Sequence, residues 1–171
     1  MFWASGRENF VKPMMSQIAS DWVQGRASLG AAAGWTAEEM RVVAEIGYAL
    51  AEQGRNTEAI TVFEGLAALA PATAYFQAAL GALWLREGEL ERALAYLDAA
   101  LATDATDATA LVNRGEAYMQ SGNLAAARAD FEAALRLSDV RLQPVATASR
   151  IRARALLARL ESLGSSDAAR G

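Results

Sequence analysis

Apolar residues recur along this chain at helical spacing, in blocks separated by short breaks that carry Gly, Pro, Thr, Asn or Asp. After a loose stretch at 1–12, Pro13 suits a first helical turn, and Met14, Ile18 and Trp22, with Met15 and Val23 beside them, make one apolar face on a helix ending near Gly25. Arg26 to Gly34 is rich in small residues and reads as a connection. Thr36 with Glu39 three residues on predicts a capping box, and Trp35 and Met40 sit where a hydrophobic staple joins them, so a helix is expected over 37–52. Further helices are expected over 57–69, stopped by Pro71, and over 74–87, capped by Thr73. They continue over 89–102, 108–120 and 123–137, with N-cap chemistry in the break from Thr103 to Asp107. Pro144 opens a last helix, 144–163, with Ile151, Ala153, Leu156, Leu157, Leu160 and Leu163 as its apolar residues, Gly164 as its C′ residue and a polar tail at 165–171.

The middle of the chain is one pattern written three times. Gly47, Gly81 and Gly115 are spaced by 34 residues, as are Gly54, Gly88 and Gly122, and Ala59, Ala93 and Ala127. Phe63, Leu97 and Phe131 keep the same step, and so do Leu66, Ala100 and Ala134. Glycine inside a helix costs about 1 kcal/mol against alanine, so the first set implies close approach of a partner helix, with Ala59, Ala93 and Ala127 on its facing turn and Phe63 and Phe131 filling the space one turn on. The second set falls between helices, where a positive φ suits glycine.

This pattern resembles the tetratricopeptide repeat, a 34-residue helix–turn–helix unit. The resemblance implies an all-α, right-handed superhelix of three helix pairs, with an N-terminal helix and a C-terminal capping helix. The expected organisation is an N-terminal helical segment at 1–35, and repeats at 40–73, 74–107 and 108–141 within 36–141. A capping helix at 142–164 and the tail complete it. The N-terminal helix reads either as a cap on the stack or as a dimerisation helix, the latter because a Met- and Trp-rich face suits an adaptable contact.

Composition narrows the function. The length suits one domain with a continuous core. Without cysteine or histidine there is no thiol nucleophile, disulfide or usual metal ligand, and no phosphate loop or nucleophile motif is present. No cofactor or catalytic residue is expected, and the protein is not read as an enzyme. Net charge is −4; from Arg141 onward six arginines face two acids, which leaves −8 on the rest. Arg150, Arg152, Arg154 and Arg159 lack interleaved aromatics on an acidic chain, so they read as the solvated face of an end helix rather than a nucleic-acid site. No apolar run reaches the ~18 residues of a membrane span, and the start, MFWASGRENF, does not read as a signal peptide, so a cytoplasmic protein without membrane insertion is expected.

In the resembled family the first helix of each pair lines a concave groove. Transferred to this chain, the peptide-binding positions are Ala44 and Tyr48; Tyr75, Ala78, Ala82 and Leu85; and Val112 and Met119. A family use that clamps a terminal carboxylate is excluded here, because Ala44, Tyr48, Ala79, Thr109 and Asn113 offer no cation. The apolar lining suits a peptide with two or three apolar anchors, or else it packs against the protein's own terminal helices.

A narrower resemblance is to the class II chaperones of type III secretion. It rests on Gly34-Trp35-Thr36-Ala37-Glu38-Glu39, Phe63 with Leu66 and Leu69-Ala70-Pro71, Tyr75-Phe76 and Leu80-Gly81, and on size and acidity. It implies a chaperone that holds an apolar segment of a client protein in the groove, and a homodimer through the N-terminal helix. Ala70, Val43 and Leu50 depart from that family's pattern. The alternative is a general scaffold acting through its convex face or its arginine-rich C-terminal helix.

Overall fold

The computed structural model describes residues 28–138 and 144–168, and every element among them is helical. The expected helix at 13–25, with its cap and dimer readings, lies outside the described residues. The chain divides into two compact units, Met1–Ala72 and Thr73–Gly171, each with its own packing.

In the first unit, α1 (Leu29–Ala32), α2 (Ala37–Glu52) and α3 (Asn56–Leu69) follow in order. The expected connection at 26–34 holds a helical turn instead. Small residues permit it: a Cβ at Gly30 would lie 2.8 Å from the Leu69 carbonyl oxygen, so only glycine lets α1 rest on the end of α3. Helix α2 begins at the capping box. The Glu39 N–H donates to Thr36 Oγ1 (3.2 Å) while the Thr36 N–H donates to Glu39 Oε2 (2.8 Å). Gly54, at φ +76°, turns the chain into α3, which ends before Pro71 with the Ala70 N–H on the Leu66 carbonyl. Phe63 and Leu66 are buried between the helices, and the Tyr48 ring meets Phe63 edge-on at 5.1 Å.

The second unit holds α4 (Ala74–Arg86), α5 (Leu90–Thr103), α6 (Ala108–Gln120), α7 (Leu124–Ser138) and α8 (Pro144–Ala168). The pairs α4–α5 and α6–α7 repeat the packing of α2–α3, and α8 lies across α6 and α7. A Cβ at Gly81 would lie 2.5 Å from Leu97 Cγ, and one at Gly115 2.5 Å from Phe131 Cε1; at Gly47 it would meet Phe63 Cε2 at 2.7 Å. Ala59, Ala93 and Ala127 are fully buried on the facing helices, and the Ala93 carbonyl oxygen would lie 3.2 Å from a Cβ at Gly81; as expected for Phe63 and Phe131, the nearest atoms over the glycines belong to the large side chain one turn further on.

Helix ends differ from expectation in three places. Thr73 makes no side-chain cap on α4, whereas Asp107 accepts from the N–H groups of Thr109 (2.8 Å) and Ala110 (3.0 Å) at the start of α6. Asn123, unassigned from sequence, accepts from the Ala126 N–H (3.2 Å). Helix α8 continues through Gly164 to Ala168, so Gly164 is not its C′ residue. Ala153 and Leu160 of α8 are buried and Leu156 and Leu157 partly so, but Ile151 faces solvent rather than joining that apolar face.

One tie crosses the second unit without a sequence signal. Arg114 of α6 donates from Nη1 to Asp98 of α5 (2.7 Å), and from Nε and Nη2 to both oxygens of Asp130 of α7 (2.8 and 2.7 Å). Asp130 is buried, and its hydrogen bonds push the Arg114 guanidinium still further above its ordinary range, so the cation is permanent.

Candidate binding cleft

The expected peptide-binding residues fall into three environments. Ala44 in the first unit and Val112 in the second are each only 1% exposed, and Leu85 is buried in the core of the second unit except where it borders a cleft. Tyr48 and Tyr75 are exposed, the latter edge-on to Phe76 at 5.8 Å. Ala78, Ala82 and Met119 are partly buried. The second unit therefore brings Ala82 and Leu85 into one cleft, whereas Val112 belongs to the buried core of that unit and Met119 does not line the cleft.

That cleft has a volume of about 550 Å³. Ala82 and Leu85 of α4 form its apolar side, with Arg86, Glu87 and Gly88 at the following turn. Thr109, Asn113, Glu116 and Gln120, one per turn of α6, form the opposite side, and Arg152 of α8 closes it. The wall is polar on the α6 side, where the sequence reading leaned on Val112 and Met119.

Arg152 is exposed, as expected of the solvated face of the end helix, but its partners were not foreseen from the sequence. Its Nη1 donates to Asn113 Oδ1 at 2.8 Å and its Nη2 to the Glu116 carboxylate, while Ser149, one turn earlier, shares a hydrogen bond of 2.9 Å with Thr109. The signal was available. Ser149, Ala153, Leu156 and Leu160 define the inward face of α8, and Arg152 lies on its border. The expectation that no cation meets the groove is thereby corrected: Arg86 and Arg152 both line the cleft. Glu87 and Glu116 balance them, so the cleft carries no net charge and presents an apolar patch beside hydrogen-bonding groups. Among the described residues no cluster of acids is arranged to hold a metal ion, and no helix is long and apolar enough to cross a membrane.

Residues 44–108 and 80–161 each match a tetratricopeptide-repeat family model, together spanning most of the chain. The chain belongs to the tetratricopeptide-repeat family. No curated protein sequence matches it. Among solved structures, the fold is similar to that of a type III secretion complex from Aeromonas hydrophila (TM-score 0.75, 20% identity, covering 86% of this chain and 97% of that one). It is also similar to the type III secretion translocator chaperone SycD of Yersinia enterocolitica (TM-score 0.70, 18% identity, 78% and 98% covered). A third similar structure is PcrH of Pseudomonas aeruginosa in complex with the chaperone-binding region of PopB (TM-score 0.66, 25% identity, 72% and 98% covered). At these identities the likeness establishes the fold, and it bears out both the repeat family and the narrower resemblance to secretion chaperones.

Proposed function

We propose that this protein is a non-catalytic, client-binding chaperone of the secretion type, and that the cleft between α4 and α6 receives part of an apolar segment of its client. The observation that carries this reading is the cleft itself. It joins an apolar side, Ala82 and Leu85, to a row of hydrogen-bonding groups on α6, a combination that suits one or two apolar side chains and the peptide backbone between them. Tyr75, exposed at the start of α4 in the same unit, offers a further aromatic contact to a client. SycD and PcrH, which share the fold, have structures with a translocator peptide or a chaperone-binding region bound. The client is a protein that is poorly soluble alone, and the binding takes place in the cytoplasm.

Co-expression tests this. A membrane-active secreted protein of the same cell is expressed with the wild type or with Ala82→Trp, which fills the cleft, combined with Tyr75→Glu. The account expects the client to be soluble with the wild type and to precipitate with the double variant. Equal solubility with both, for a variant of native helicity, contradicts it.

A further inference from the structure

We propose that copies of this chain associate head to tail, with α8 of one copy seated on α2 of the next. This contact is separate from the client cleft and does not rest on the function proposed above.

Two exposed apolar stripes motivate it. On α2, Val42 and Ile46 are 47% and 53% exposed and stand one turn apart, with Trp35 also exposed at the helix start. Beside them lies a cleft of about 480 Å³, lined by Trp35, Val42 and Val43 together with Glu38 and Glu39. On α8, Ile151 is 67% exposed, and the shallow cleft of about 570 Å³ around it is lined by Arg150, Arg154, Ala155 and Ala158. The alanines leave Ile151 as a knob on a flat surface, and the α2 cleft is large enough to take it.

The flanking charges decide what pairs with what. The α2 stripe is bordered by Glu38, Glu39 and Glu45, against which stands Arg41, held between Glu38 and Glu45. The α8 stripe is bordered by arginines and has no acid in its lining. Two α2 faces repel each other, as do two α8 faces, whereas one of each attracts. The complementary occupant of either stripe is therefore the other stripe on a second copy. Such a contact is heterologous: each copy that joins leaves one unused face of each kind, so association does not stop at the dimer unless a ring closes.

Sedimentation equilibrium on the full chain tests this. The wild type should show an average mass that keeps rising with protein concentration beyond the dimer, and less so at high salt, where the flanking charges are screened. Val42→Asp and Ile151→Asp, both on exposed helix faces, should each be monomeric. Mixed in equal amounts they should form a dimer and nothing larger, because each retains the one face that the other lacks. In a second pair, Arg154→Glu should weaken association roughly tenfold and Glu38→Arg should restore it. A monomeric wild type at all concentrations overturns the proposal, as does self-association that survives Ile151→Asp. If Val42→Asp destabilises a chain that is itself monomeric, the α2 stripe is covered from within the same chain and the proposal is also overturned.

Discussion

Arg152 Nη1 lies 2.8 Å from Oδ1 of Asn113, a side chain only 5% exposed, and this bond fastens the C-terminal helix to the wall of the cleft. Removing the guanidinium leaves a buried acceptor and the Glu116 carboxylate without their donor. Arg152→Ala should lower stability by about 1–2 kcal/mol, measured by urea unfolding. Arg152→Lys should recover little, because one ammonium cannot reproduce the fork that reaches both partners. Full recovery by lysine would show that charge alone matters there.

The close approach at the repeat glycines gives a paired prediction. At Gly81 a Cβ would sit 2.5 Å from Leu97 Cγ, whereas at Gly65, inside α3, it would meet nothing within 4 Å. Gly81→Val should destabilise by about 1–3 kcal/mol or more, and Gly65→Ala should stabilise by about 0.5–1 kcal/mol through helix propensity. Thermal melts of the two variants check the sign difference; the same sign at both positions contradicts the packing described.

The Arg114 tie should be among the costliest to break. Arg114→Met leaves Asp130 buried without its donor, with an expected loss of about 3 kcal/mol or more. Replacing both, as Arg114→Met with Asp130→Leu, should recover a large part of that loss, because no uncompensated charge then remains. A double-mutant cycle in denaturant measures the coupling.

A pH dependence follows from the capping box. The Thr36 N–H and then the Thr36 hydroxyl hold the Glu39 carboxyl below its ordinary range, and Arg41 does the same for Glu38. A carboxylate whose folded pKa is depressed contributes stability that is complete above its unfolded pKa of about 4.3 and is lost as pH falls through the lower folded value. Glu39→Gln should therefore be less stable than the wild type at neutral pH, and the difference should close in acid. A difference that stays constant from neutral to acid pH contradicts the assignment.

The helix pairs were legible because the 34-residue step records a steric rule. Gly47, Gly81 and Gly115 stand where a large side chain crosses, and Gly54, Gly88 and Gly122 where φ is positive. Thr36 and Glu39 were legible because a capping box is local. What could not be read is long-range. Arg114 finds Asp98 and Asp130 each 16 residues away in the chain, and Arg152 finds Asn113 at 39. Nothing in the periodicity specifies such pairs, since charged residues outside the repeat pattern are free to vary from copy to copy. The burial of Val112 was missed for a related reason. Its position in the unit is inward-facing, yet it joins the buried core of the second unit, to which α8, far along the chain, contributes Ala153 and Leu160.

The most direct measurement is site-specific photo-crosslinking of the co-expressed client. A photoreactive residue is placed at Ala82, inside the cleft, or at Ala99, exposed on α5. The account predicts a crosslinked client–chaperone product from position 82 and none from position 99. Crosslinking from 99 with none from 82 would contradict it and move binding to the other face of the helix pairs.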